Sequence, residues 1–100
     1  MAAVVDGFFA EAAPYLRGRL LFVVDGRRVP SHAAPTLSDI ERQTTIARLR
    51  SHGAEVIDLE PVYAVHTAQS GLGLEVGPYD HHLNALGVQM VMSAAARRLD

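Results

Sequence analysis

Two short apolar runs on either side of one capped helix constrain this fold more than any other feature of the sequence. The runs lie at 20–24 and within 54–60. Continuous apolar segments of this length are typical of strands buried on both faces of a parallel sheet. A strand, a helix and a strand in this order predict a right-handed βαβ unit with two parallel strands. Asp25 would follow the first strand, where a turn role is favoured over a role in a site.

The remaining segments add helices to this unit. Apolar residues recur at three- and four-residue steps over 2–17, which predicts a first helix with its aromatic residues in the core and Gly18 at its end. Ser38 and Glu41 form a capping-box pattern that opens the second helix, which runs to Gly53 with its arginines on a solvated face.

Three further segments complete the predicted fold. Helices are expected at 62–70 and 84–99, and 71–77 is expected to be a flexible approach to the last helix. Pro61 is expected to stop the second strand. The predicted fold class is therefore α/β, a partial three-layer α/β/α arrangement with a short parallel sheet and flanking helices.

Composition narrows the classes of protein to which the chain can belong. Its 100 residues suffice for one small domain, and 49% hydrophobic with 20% charged residues is typical of a globular chain. The net charge is −2 and the basic residues form no cluster, so no nucleic acid or anionic membrane is expected as a partner. Cysteine is absent, which excludes disulfides, thiolate metal sites and cysteine nucleophiles.

Neither a leader nor a membrane span is expected. The first residues carry no basic side chain, and Asp6 and Glu11 interrupt the apolar run, unlike a secretory signal. No stretch approaches the roughly 20 apolar residues that a membrane span needs. We therefore expect a soluble chain that is cytoplasmic by default.

The densest chemistry lies at 77–87, between a Gly-Pro turn and the last predicted helix. On a loop, the Asp80 carboxylate can turn towards the His82 imidazole and accept from its Nδ1–H. Nε2 is then free to take a proton from a nucleophile. Asn84 is expected to cap the helix that follows. The segment therefore predicts an acid–base pair of Asp80 and His82.

Other interpretations of these residues stay open. Asp80, His81 and His82 could hold a metal such as zinc, but three consecutive ligands strain a tetrahedral shell and no distant His or Cys set completes it. Alternatively, Asp80 caps the helix and His82 is simply exposed. Ser31 and His32 are interpreted as ordinary loop residues. No cofactor and no metal are predicted.

The pattern Asp-x-His-x-Asn-x-x-Gly over 80–87, followed by an Ala-rich helix that ends in Arg-Arg-Leu, resembles the C-terminal block of SGNH (GDSL-like) hydrolases. In that family the block supplies the Asp and the His of a Ser-His-Asp triad. The resemblance implies that Asp80 is the orienting acid and His82 the base. It extends to the order of the preceding strands and helix, and implies a flavodoxin-like sheet.

The front half of such a domain has no counterpart in this sequence. SGNH hydrolases carry their nucleophile in a Gly-Asp-Ser block near the start, with Gly and Asn oxyanion donors from two middle blocks, and none of these is found here. Residues 1–100 are therefore expected to form a single α/β domain or the C-terminal portion of an SGNH hydrolase domain.

Two functions are compatible with this sequence. In the first, the chain is a relative of an ester hydrolase or O-acyl transferase. Such an enzyme acts on an acyl ester, and the chain supplies Asp80 and His82 to its active site. The second is a non-catalytic α/β interaction module or truncated remnant. Two parallel strands alone make a poor sheet, so a second copy of the chain or a complementing N-terminal half is the expected partner.

Overall fold

The structure is a computed structural model that describes residues 1–99. Within them the chain forms helices and strands in this order: α1 Ala2–Ala12, a 3₁₀ turn Ala13–Tyr15, β1 Leu21–Val24, α2 Leu37–Ser51, β2 Glu55–Asp58, α3 Leu59–Gln69, β3 Glu75–Gly77, β4 Asp80–Leu83 and α4 Ala85–Leu99. The predicted α/β class is confirmed, with a short parallel pair of strands and helices around it.

The parallel pair consists of β1 and β2, as the apolar runs predict. The pairing begins where the Glu55 N–H donates to the Leu20 carbonyl at 2.9 Å. Val56 and Ile57, at the centre of β2, are buried, whereas β1 is only half-buried. The strand β2 therefore lies deeper than β1.

Strand β2 is shorter than predicted because a helix begins directly after it. The Asp58 carboxylate accepts from the Glu60 N–H at 3.0 Å and so caps α3. Pro61 does not end the strand, as predicted, but lies in the first turn of α3. A missing N–H is tolerated there, since the first helical N–H groups have no intrahelical acceptor.

Helix α2 begins earlier than predicted. Thr36 is its N-cap: the Thr36 hydroxyl accepts from the Asp39 N–H at 3.2 Å, and the Asp39 carboxylate accepts from the Thr36 N–H at 2.8 Å. The predicted pair, Ser38 and Glu41, has the same spacing but lies inside the helix. Two overlapping capping patterns exist here, and the earlier one extends the helix by two residues.

The chain divides into two compact units. The first comprises Met1–Val24 and Ser31–Val56, and the second Asp25–Pro30 with the residues from Ile57 onwards. In the first unit, a buried apolar cluster joins α1, α2 and the parallel strands. Its members are Val5, Ile46, Leu49 and Val56, with Phe9, Phe22 and Val24 partly buried against them.

Two expectations about the first unit need correction. Phe9 packs against the core as predicted. Phe8 is 45% exposed although its ring contacts Phe9 and Phe22 edge-on, and Tyr15 is 83% exposed.

The arginines of α2 do not all lie on a solvated face, because Arg42 is half-buried and its Nη2 donates to the Val24 carbonyl at 3.4 Å. Arg48 is exposed as predicted, and its guanidinium forms a bidentate ion pair with Asp6, at 2.6 and 2.7 Å.

The second unit contains an antiparallel hairpin that the sequence did not predict. Strands β3 and β4 are joined by a turn at Pro78 and Tyr79, with Glu75 opposite Leu83 and Gly77 opposite Asp80. The register shifts between Glu75 and Gly77. The prediction of a loop around Asp80 is therefore wrong, and that of a flexible approach at 71–77 is wrong for 75–77, which form β3. These strands lack the alternation of apolar residues that reveals a half-buried strand.

Among the helices of residues 1–99, none combines the length and the apolar character needed to cross a bilayer.

Replacing Thr36 with Ala should lower the free energy of unfolding by about 1 kcal/mol, because the Asp39 N–H at the start of the helix loses its acceptor. The matched variant Ser38→Ala should change it by less than about 0.5 kcal/mol, because Ser38 does not cap the helix. Urea unfolding followed by circular dichroism measures both. An equal loss in the two variants would contradict Thr36 as the cap.

Candidate functional site

The predicted acid–base pair lies on the hairpin strand β4. Successive side chains of a strand point to opposite faces, so Asp80 and His82 share one face and His81 lies on the other. The Asp80 Oδ1 atom lies 2.6 Å from His82 Nδ1 and also accepts from the His82 backbone N–H at 3.0 Å. The contact predicted for a loop is thus made by a strand.

The electrostatics of the pair keep Asp80 ionised. The hydrogen bond from the His82 backbone N–H, followed by that from the His82 imidazole, lowers the pKa of the Asp80 carboxyl. An ionised Asp80 accepts from Nδ1–H and so favours the His82 tautomer with its proton on Nδ1. The His82 side chain is 92% exposed, which leaves the lone pair of Nε2 open to a reactant.

Asn84 caps α4 as predicted, and it also connects the start of this helix to β3 and to the segment before β3. Its side-chain oxygen accepts from the Gly87 N–H at 2.9 Å at the start of α4. Its side-chain nitrogen donates to the carbonyls of Gly73 at 2.9 Å and Glu75 at 3.2 Å. The Asn84 backbone N–H donates to the Leu74 carbonyl at 2.8 Å. One residue therefore fixes the position of the helix relative to β3.

Gly87 permits a close approach that any larger residue would prevent. A Cβ atom placed there would lie 2.7 Å from Leu83 Cδ2 and 2.8 Å from the Leu74 carbonyl oxygen. Both distances are shorter than side-chain carbons normally allow. The Asp, His, Asn and Gly of the 80–87 pattern thus have separate physical roles in this structure: a carboxylate acceptor, an exposed imidazole, a cap and a close contact.

A cluster of Asp25 and Arg28 around the buried Tyr63 was missed at the sequence level. Tyr63 is fully buried, and its hydroxyl donates to Asp25 Oδ1 at 2.8 Å. The Arg28 guanidinium pairs with the same carboxylate and lies 5.1 Å from the centre of the Tyr63 ring. Asp25 therefore does more than shape a turn. No spacing in the sequence joins residues 25 and 63, so only the fold reveals the cluster.

A second acid–imidazole pair, also unpredicted, lies in the first unit. His52 Nε2 is 2.7 Å from Asp6 Oδ1, and the imidazole stacks on the Phe9 ring with 4.4 Å between centres. Arg48, followed by His52, lowers the pKa of the Asp6 carboxyl well below its usual range. Because Arg48 already occupies both oxygens of Asp6, this pair joins α1 to the end of α2 rather than leaving a base exposed.

Neither Ser70 of the second unit nor Ser31 of the first unit is hydrogen-bonded to the pair. All hydrogen bonds of His82 within residues 1–99 go to Asp80. Ser70 lies 3.1 Å from His66 Nε2, but that nitrogen also lies 2.9 Å from the Leu72 carbonyl. A carbonyl only accepts, so Nε2 donates its proton there and cannot take one from Ser70. Ser31 accepts from the Ala33 N–H, as a loop residue would.

Asp80, His81 and His82 do not form the metal site that was the alternative interpretation of this segment. His81 does not join Asp80 and His82, because its Nδ1 lies 3.2 Å from Glu75 Oε1 instead. Across residues 1–99, no three His, Cys, Asp or Glu side chains are grouped so that they could hold a metal ion.

Comparison of the chain with protein-family models, with curated proteins and with solved structures finds no match. The SGNH relationship therefore stays a prediction that rests on residues 80–87 and on the order of the elements before them.

Replacing Gly87 with Ala should destabilise the chain, because overpacking costs about 1–3 kcal/mol. The gain in helix propensity returns at most about 1 kcal/mol. Gly73→Ala is the matched control, since a Cβ atom there meets nothing within 4 Å. Urea unfolding measures both, and a Gly87→Ala chain as stable as the wild type would contradict the close contact.

Alkaline titration should reveal the buried tyrosine. Burial, followed by the hydrogen bond to Asp25, raises the pKa of Tyr63 to about 12. Because this pKa exceeds the usual value of about 10, the stabilisation is complete below pH 10 and is lost as the pH rises towards 12. We expect a late step in the absorbance at 295 nm that Tyr63→Phe removes. In Asp25→Asn the step should move down only partly, since burial is the larger cause. Ionisation of Tyr63 at its usual pH in the folded chain would contradict this assignment.

Proposed function

We propose that the chain supplies the Asp–His part of a Ser-His-Asp triad in an SGNH-type ester hydrolase or O-acyl transferase. The observation that carries the proposal is the 2.6 Å contact between Asp80 Oδ1 and His82 Nδ1, which leaves Nε2 exposed. A base for acyl transfer needs this arrangement: an orienting carboxylate on one ring nitrogen and free access to the other. The serine of the triad lies outside these 100 residues.

In the proposed reaction, the serine hydroxyl attacks the carbonyl carbon of an acyl ester while His82 Nε2 takes its proton. The imidazolium then gives this proton to the leaving alcohol, and an acyl-serine forms. Water or a second alcohol then attacks the acyl-serine while His82 Nε2 takes its proton. The imidazolium returns the proton to the serine oxygen, and the acyl group is released. Asp80 holds the tautomer throughout and stabilises the charged imidazole without becoming protonated.

The expected partner carries the serine and extends the sheet. In the described chain, β1 and β2 pair only with each other, so each has one edge without a neighbouring strand. Parallel sheets are normally built from more strands, and an open edge is a template for pairing. A complementing N-terminal half or a second copy of the chain would meet this need, and the former would also bring the nucleophile.

A non-catalytic interaction module is the second candidate. It is favoured by one observation: His82 has no serine among its hydrogen-bond partners. Removing the nucleophile of a serine hydrolase lowers kcat by roughly 10⁶. A chain that never meets a serine would therefore retain binding alone.

Hydrolysis of p-nitrophenyl acetate tests the proposal on the purified chain. His82→Ala should lower the rate severalfold towards that of buffer, because an imidazole with a free Nε2 acts on activated esters even without the serine. His32→Ala is the matched control, since His32 is an exposed imidazole in the loop before α2 and takes no part in the pair. Its rate should equal that of the wild type.

A fluorophosphonate probe and intact mass complete the experiment. No serine should be labelled, because the nucleophile lies elsewhere. Equal rates in the wild type and both variants would favour the interaction module. A serine labelled only when His82 is present would show that the nucleophile lies within this chain, against the proposal.

A further inference from the structure

His81 separates the two residues of the acid–base pair, and two other residues hold it. Its imidazole Nδ1 lies 3.2 Å from Glu75 Oε1. Its backbone carbonyl accepts from Arg28 Nη2 at 3.5 Å. The same Arg28 guanidinium lies 3.7 Å from Glu75 Oε2 through Nε. Arg28, Glu75 and His81 therefore form a closed set of contacts next to the pair.

Arg28 is itself anchored inside the second unit. Only 16% of its side chain is exposed. Its Nη1 pairs with Asp25 and donates to the Gly26 carbonyl at 3.1 Å, and its guanidinium stacks on the buried ring of Tyr63. Arg28 thus contacts two carboxylates and two carbonyls, although within residues 1–99 its buried Nε has no hydrogen-bond partner and meets Glu75 Oε2 only as an ion pair at 3.7 Å. Because Arg28 lies outside the hairpin, these contacts restrain the movement of the hairpin.

The strand that carries the pair needs such an anchor. Strand β4 has four residues, β3 has three, and their register shifts between Glu75 and Gly77. An isolated two-stranded hairpin is at best marginally stable in water. If the His81 peptide rotated, Asp80 and His82 on either side of it would rotate in opposite senses and their hydrogen bond would lengthen.

We infer that Arg28 and Glu75 are positioning residues for the Asp80–His82 pair. They hold His81 by its carbonyl and its imidazole, and so keep its two neighbours in contact on the other side of the strand. The inference rests on the proposed function, because only a reacting pair needs this geometry. Neither residue touches the reacting atoms.

The test uses isotope-labelled full-length chain and two signals from the pair itself. Nitrogen shifts report which ring nitrogen of His82 carries the proton, and the carboxyl carbon of Asp80 reports its pKa. Arg28→Lys keeps the positive charge but loses the planar guanidinium and its several N–H donors. It should reduce the fraction of His82 with its proton on Nδ1 by half or more, and should raise the Asp80 pKa towards its ordinary value. Arg27→Lys, at the exposed neighbouring position, is the matched control and should change neither signal.

A second variant keeps the inference testable if Arg28→Lys fails to fold. Glu75→Gln removes the charge that pairs with Arg28 and His81 while preserving the shape, and it should shift both signals in the same direction by less. If Arg28→Lys folds and leaves both signals unchanged, the inference is overturned. If Arg28→Lys does not fold, unchanged signals in Glu75→Gln overturn it instead.

The wild-type signals separate this failure from failure of the proposed function. If His82 of the wild type carries its proton on Nε2, the base itself is absent and the proposed function fails. If the wild type has the Nδ1 proton and the variants retain it, only the role of Arg28 and Glu75 fails.

Discussion

The hairpin of the second unit is too short to hold its own shape, and most other features of that unit compensate for this. Two strands of three and four residues provide few ladder hydrogen bonds. Asn84 binds the hairpin from its helical end by donating to two carbonyls and capping α4 with its oxygen. Arg28 binds it from the interior. The hairpin that carries the exposed imidazole is therefore held by residues outside the two strands.

The two acid–imidazole pairs show how neighbours decide what the same chemistry can do. In the first unit, Arg48 binds both oxygens of Asp6, and the imidazole of His52 lies flat on Phe9. Because the Arg48 guanidinium neutralises the Asp6 carboxylate, the contact between Asp6 and His52 connects α1 to the end of α2. In the second unit, His82 is the only side-chain hydrogen-bond partner of Asp80 within residues 1–99. Its charge is directed at one ring nitrogen, and the other faces solvent.

Local chemistry could be predicted from the sequence, whereas pairings across long separations could not. The apolar runs predicted the parallel strands because burial leaves a direct trace in composition. The contact between Asp80 and His82 was predictable because the two residues are only two positions apart. The hairpin was not, since polar strands on an exposed surface carry no alternation. The cluster of Asp25, Arg28 and Tyr63 joins residues 38 positions apart, and no residue pattern announces such a contact.

The crowded position of Gly87 has a consequence for how this segment can change over evolution. Two atoms stand in the way of a side chain there, and they differ in kind: one belongs to the flexible side chain of Leu83, the other to the backbone of Leu74. A smaller residue at 83 would relieve the first obstacle but not the second. No single compensating substitution can therefore admit a side chain at 87. A residue other than glycine at 87 would therefore require the backbone at Leu74 to move as well.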